Sequence, residues 1–265
     1  MTDSSASENA ERRSFPLGRR KLLIAGGATA VAAGLGVTAR SATSASAAPA
    51  AAPGSAGAAV CSLTKEVTEG PYWLDGALVR EDIREDKTGI PLELTLTVVD
   101  EANDCAPLPK ALVELWHADA LGEYSGFVGQ NGHEEPDNGT FLRGGVLSGE
   151  NGVAKLTTVY PGWYRGRCVH IHLKVHTDVE LTDDGSYSGG EVIHTGQLFF
   201  AEETTEQVAA TDPYPTNETE RVTLDEDSIY DGGGATSGLL TLKALGSTPS
   251  DGYAGSLTVG VNSAG

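Results

Sequence analysis

From Cys61 onward the chain alternates between short apolar-polar runs and turn residues. Leu92, Leu94, Leu96 and Val98 are separated by Glu93, Thr95 and Thr97. A period of two puts those four apolar side chains on one face of an extended strand. Similar runs recur at 111–116, 153–158, 170–175, 196–201, 239–245 and 256–261. Turn signals fall at Asn138-Gly139, Glu150-Asn151-Gly152 and Asp231-Gly232-Gly233. No window of this region sustains a long 3.6-residue period, and the 34 glycines disfavour a helical bundle. The pattern predicts an all-β fold, a two-sheet β-sandwich whose long loops carry the chemistry. One domain over 60–265 is within the usual size for such a fold.

The ends and the charge narrow the partners. With 37 acidic against 18 basic residues the formal net charge is -19, which opposes binding to nucleic acid or to an anionic membrane surface. Arg12-Arg13-Ser14-Phe15 and Arg19-Arg20-Lys21-Leu22-Leu23 each resemble a twin-arginine signal. An Ala/Gly-rich apolar stretch follows from Leu22 to Thr38, and Ala45-Ser46-Ala47 offers a cleavage site. The stretch is short and weakly hydrophobic for a permanent membrane span. Segment 1–47 is therefore expected to be a signal peptide that meets the membrane only during export, and 48–59 an Ala/Pro/Gly/Ser linker. Three cysteines (Cys61, Cys105, Cys168) in an oxidising compartment give one disulfide and one thiol as the simplest arithmetic.

Two segments carry candidate chemistry. The run from Tyr160-Pro161-Gly162-Trp163-Tyr164 to His170-Ile171-His172 ends on a strand, where residues i and i+2 share a face. His170 and His172 thus project together, and two imidazoles on one face are half of a metal site. Paired surface histidines are also common, and the spacing alone leaves both readings open. The second segment, Glu114 to Gly126, leaves a predicted strand for a glycine-containing loop that bears Tyr124. Taken alone, Tyr124 reads as an ordinary loop aromatic.

Together these segments resemble the intradiol ring-cleaving dioxygenases, in particular exported single-domain members. The resemblance begins at Leu63-Thr64 and Glu69-Gly70-Pro71-Tyr72, includes Leu78-Val79-Arg80-Glu81-Asp82-Ile83 and Gly89-Ile90-Pro91-Leu92, and runs through Leu115-Trp116-His117-Ala118-Asp119, Gly122-Glu123-Tyr124-Ser125-Gly126 and Phe141-Leu142-Arg143-Gly144. It continues over the Pro-Gly-Trp-Tyr to His-Ile-His stretch and closes at His194-Thr195-Gly196-Gln197-Leu198-Phe199-Phe200. It implies a non-haem Fe(III) cofactor held by Tyr124, Tyr164, His170 and His172, with Tyr164 and His172 axial. It implies catechol-type substrates cleaved by O2 between their two hydroxyls to cis,cis-muconate-type diacids. Tyr164 would yield its place to substrate, Arg167 would stabilise negative charge on the ring, and Gln197 would stand behind the site. Pro71, Tyr72 and Trp73 would line the pocket mouth.

With Cys168 two residues from a matched ligand, the disulfide is expected between Cys61 and Cys105. His117 and His194 match no ligand position and are expected to fill buried hydrogen-bonding roles. His133 is expected to be solvated and His176 to end its strand. The sequence departs from the family pattern at Ala118 and Cys168, neither of which matches a ligand. Two other functions compete: a zinc or copper enzyme using the histidine pair, and a non-catalytic module for aromatic polymers or glycans with Trp73 and Trp163 as platforms.

Overall fold

A computed structural model describes residues 61–128 and 138–264. The twin-arginine segment, the linker and His133 lie outside the described residues. Among the described residues, nine strands form two sheets. In the first, β1 (Pro91–Asp100) lies between β5 (Val153–Val159) on one side and β9 (Tyr253–Val261) on the other. The short β2 (Ala106–Pro107) pairs with the C-terminal end of β1, and β8 (Thr241–Ala244) pairs with β9. The second sheet has the order β4 (Arg143–Leu147), β3 (Leu112–Trp116), β6 (His170–Leu181), β7 (Tyr187–Phe199). The β1–β9 pairing is parallel and the other pairings of these strands are antiparallel.

The core lies between the sheets. Leu92, Leu94, Leu96 and Val98 of β1 meet Val113 and Leu115 of β3 and Ile171, Leu173 and Val175 of β6 in one apolar cluster. Burying each such side chain contributes about 1.5–3 kcal/mol relative to leaving it exposed. Because strand side chains alternate, packing Ile171, Leu173 and Val175 inward turns His170, His172, Lys174 and His176 to the other face. These four are buried as well. Register places Trp116 and Gln197 on either side of His172, and Glu114 beside Lys174. A polar row is therefore held under loops on the outer face of the second sheet.

The structure departs from the sequence reading in several places. His176 does not end its strand: β6 runs on to Leu181, and His176 is buried with Nε2 2.8 Å from Glu114 Oε2. Strand β7 begins at Tyr187, well before the apolar run at 196–201, because its first half is an exposed hairpin arm without alternation. Helix α1 (Glu202–Ala209) buries only Thr205 and Val208, too little for an apolar stripe in sequence. The cysteines, by contrast, follow the expectation: Cys61 and Cys105 are joined by a disulfide, and Cys168 is a buried free thiol. Among the described residues, no helix is long and apolar enough to cross a membrane.

Candidate metal centre

Three segments meet over the outer face of β3 and β6. The first is the loop after β3, shaped by Asp119, whose Oδ1 accepts the N–H groups of Leu121 and Glu123 at 2.9 and 3.0 Å. This folds the loop back so that Tyr124 is buried against Trp116 and Ala118. The second is the Pro161–Arg167 turn, which brings Tyr164 against Tyr124 with ring centroids 5.6 Å apart. The two loops touch where Gly122, at φ +88°, lies against the Trp163 carbonyl, leaving no room for a β-carbon. The third is the strap at Thr68–Trp73. Its Gly70, at φ +72°, lies so close to His172 that a β-carbon would fall 2.9 Å from Cε1.

The four predicted ligands converge. The Nε2 atoms of His170 and His172 are 3.1 Å apart, and Tyr164 Oη is 3.3 Å from His170 Nε2. His170 Nδ1 donates to the Cys168 carbonyl at 2.7 Å. A carbonyl only accepts, so Nδ1 carries the proton and Nε2 presents a lone pair toward the cluster. The His172 ring is stacked on Trp116, with centroids 4.9 Å apart and planes 6° from parallel. Among the described residues, Tyr124 Oη is buried without a hydrogen-bond partner.

Electrostatics follow from this burial. It pushes the Tyr124 hydroxyl well above the ordinary phenol range, and Tyr164 beside it adds to the effect. Tyr164 is raised by burial too, with Arg167 opposing. Burial holds His170 and His172 well below the usual imidazole range, and Arg167 pushes both further down, as His170 does His172. Both imidazoles are therefore neutral donors. Among the described residues, no three His, Cys, Asp or Glu side chains form a metal cluster. The donors that converge are instead two imidazoles and two phenols. A buried phenol oxygen without a partner costs about 1–3 kcal/mol. A trivalent cation would answer it, since a strong Lewis acid replaces the phenol proton and phenolate with imidazole is a hard-to-borderline donor set. The residues present fit ferric iron.

Arg167 adjoins the cluster. Its Nη1 lies 3.4 Å from Tyr164 Oη and 3.3 Å from His170 Nε2, Nη2 donates to Gln197 Oε1 at 2.5 Å, and Nε donates to Asp227 Oδ2 at 2.8 Å. Gln197 in turn donates through Nε2 to the Thr68 carbonyl at 2.9 Å, tying the strap to β7. Asp227, 60 positions from Arg167, escaped the sequence reading. Its only local signal is its place at the foot of the Asp-rich 225–231 turn.

The strap residues divide. Tyr72 stacks on Tyr124 at 4.5 Å and meets Tyr164 edge-on at 5.7 Å, over the cluster. Trp73 donates instead through Nε1 to both Glu114 oxygens at 3.3 Å, with Lys174 Nζ 3.3 Å over its ring. Pro71 is exposed in the turn between Gly70 and Tyr72. Trp163 is 6% exposed and donates through Nε1 to the Thr219 carbonyl, so it offers no platform to a polymer. His117 is buried between the Ala118 carbonyl and Thr158 Oγ1, whereas His194 Nε2 is without a partner among the described residues.

A family model described as "Dioxygenase" matches residues 68–180. The solved structure of an intradiol ring-cleavage dioxygenase from Tetranychus urticae is 34% identical, with a TM-score of 0.65 over 76% of this chain and 95% of that one. The chain belongs to the intradiol ring-cleavage dioxygenase family. Catechol 1,2-dioxygenase of Acinetobacter baylyi is 35% identical over 106 residues, which are 38% of this chain and 32% of that protein. Catechol 1,2-dioxygenase 1 of Acinetobacter lwoffii is 30% identical over 155 residues, 49% and 48% of the two chains. The chain thus spans less than half the length of both these curated relatives.

Proposed function

We propose that this protein is an Fe(III) dioxygenase that cleaves catechol-type rings between the two hydroxyls with O2, giving cis,cis-muconate-type diacids. The observation behind this reading is the convergence of Tyr124, Tyr164, His170 and His172 beside the Arg167 guanidinium. Ferric iron on those four side chains would supply a Lewis acid for the catechol oxygens and activate the ring toward O2.

The chain's own residues have separate tasks. His170 is locked by the Cys168 carbonyl into the tautomer that presents Nε2. Tyr124, roofed by Tyr72, is the more buried phenol and remains fixed. Tyr164 is the less buried of the two and lies next to Arg167; held as a phenolate by ferric iron, its Oη would be the base that takes a catechol proton and becomes a neutral phenol. Arg167 Nη1 then faces the negative charge that grows on the ring. A fixed cation in a site closed to water strengthens that interaction toward the transition state.

The reading extends to location. We place the protein outside the cytoplasm, exported folded through Arg12-Arg13 or Arg19-Arg20, and the Cys61–Cys105 disulfide supports an oxidising destination. Lysine at all four arginines should keep the protein inside the cell.

Activity is tested on purified protein loaded with ferric iron. It should take on the red-brown colour of tyrosinate-to-iron charge transfer and consume O2 only when a catechol is added. A colourless protein with bound iron, or one that consumes no O2 with any of a panel of catechols, would reject the reading.

A further inference from the structure

The three nitrogens of Arg167 face different partners. Nε is taken by Asp227 Oδ2, Nη2 by Gln197 Oε1, and only Nη1 points at Tyr164 Oη and His170 Nε2. Two acceptors therefore fix the plane and rotation of the guanidinium, leaving the third nitrogen for the reacting centre. We propose that Asp227 is a positioning residue that aims Arg167 Nη1 at the ring-cleavage site.

The surroundings of Asp227 suit that task. Its side chain is fully buried and its two oxygens accept four donors. Oδ2 takes Arg167 Nε and the Cys168 N–H at 2.8 Å each. Oδ1 takes the N–H groups of Ile229 and Tyr230 at 2.8 and 2.9 Å. One carboxylate oxygen thus holds both the Arg167 side chain and the backbone that leads directly into His170, while the other closes its own turn. Burial opposes the charge on Asp227, but Arg167 and the backbone donors outweigh it and hold the carboxyl below its ordinary range. Arg167 is itself largely buried, and among the described residues Asp227 is its ion-pair partner, so without Asp227 that buried charge would be left unpaired. A positioned guanidinium differs from a merely present one, because misplacement of a group that stabilises a transition state costs rate even when the group remains.

This inference rests on the proposed ring-cleavage activity and is tested against it in four proteins: wild type, Asp227→Asn, Arg167→Met and the double variant, each loaded with iron. Asparagine keeps the shape and an oxygen for the Ile229 and Tyr230 amides but turns an amide N–H toward Arg167. Asp227→Asn should retain iron and its visible band, lower kcat about 10–100-fold, as loss of supporting contacts behind a metal site typically does, and change KM much less. In the Arg167→Met background the same substitution should leave kcat unchanged within about twofold, since a residue acting through Arg167 has nothing left to aim. That pair also reads the proposal if Asp227→Asn alone does not fold, because removing both charges avoids an unpaired buried guanidinium. An equal loss of kcat in both backgrounds, or wild-type kcat in Asp227→Asn, would overturn the inference while leaving the activity intact. A wild-type protein inert toward catechols would instead overturn the functional reading.

Discussion

The Nε2 atoms of His170 and His172 face each other at 3.1 Å from one side of a single strand. Two neutral imidazoles in that arrangement cannot both direct lone pairs at each other without a cation or a proton between them. Tyr164 Oη is 3.3 Å from the first of them, and the unpartnered Tyr124 Oη belongs to the same buried cluster. A metal held among these donors would stabilise the arrangement relative to the metal-free protein.

Tyr124→Phe separates those two states. It removes a buried hydroxyl that has no partner, so the metal-free variant should be at least as stable as wild type. Iron content and the visible band should nevertheless fall sharply. Denaturant titration of the metal-free proteins, set beside metal analysis of the loaded ones, reads both effects. Unchanged iron and colour would remove Tyr124 from the metal centre.

Gly70→Ala tests the strap. At φ +72° a non-glycine residue costs about 1–2 kcal/mol. The added carbon would also press within 2.9 Å of the His172 ring, which cannot retreat because Trp116 is stacked on it. Thermal unfolding should show the destabilisation, and iron affinity should drop with it. Wild-type affinity would mean the strap does not restrain His172.

His117 should leave a signature in the acid limb. Burial lowers it from 6.5 to about 4. The fold thus favours the neutral ring, and below pH 6.5 the unfolded chain binds more protons than the folded one. Stability should fall as pH drops from 6.5 to about 4, by about 3 kcal/mol from this residue, and level off below that. The difference in unfolding free energy between wild type and His117→Gln, followed across that range, isolates the contribution. A difference that does not vary with pH would contradict it.

Arg167→Ala should keep its iron and its tyrosinate colour and still change colour when catechol is added without O2. Turnover should fall ~10²–10³-fold, the usual loss for one transition-state donor. Stopped-flow kinetics would settle it. Wild-type kcat would refute the role, and loss of colour would make the residue structural.

The sandwich was legible because its core strands alternate cleanly, as at Leu92, Leu94, Leu96 and Val98, and the histidine pair because i and i+2 share a strand face. Strand β4 was not, since Arg143-Gly144-Gly145 carries two glycines and no apolar alternation. Neither were the long-range polar pairs. Arg167 with Asp227 and His176 with Glu114 lie 60 and 62 positions apart. Such partners are chosen by how loops and strands meet in space, which no local pattern records. The four ligand candidates needed the family resemblance for the same reason, because Tyr124 and His170 lie on different elements.

The most direct test of the whole account is mass analysis of the product formed from catechol by iron-loaded protein under ¹⁸O2. Cleavage between the hydroxyls predicts a cis,cis-muconate-type diacid that carries both atoms of the labelled O2. A semialdehyde from cleavage beside the hydroxyls, a product with a single label, or no product would contradict it.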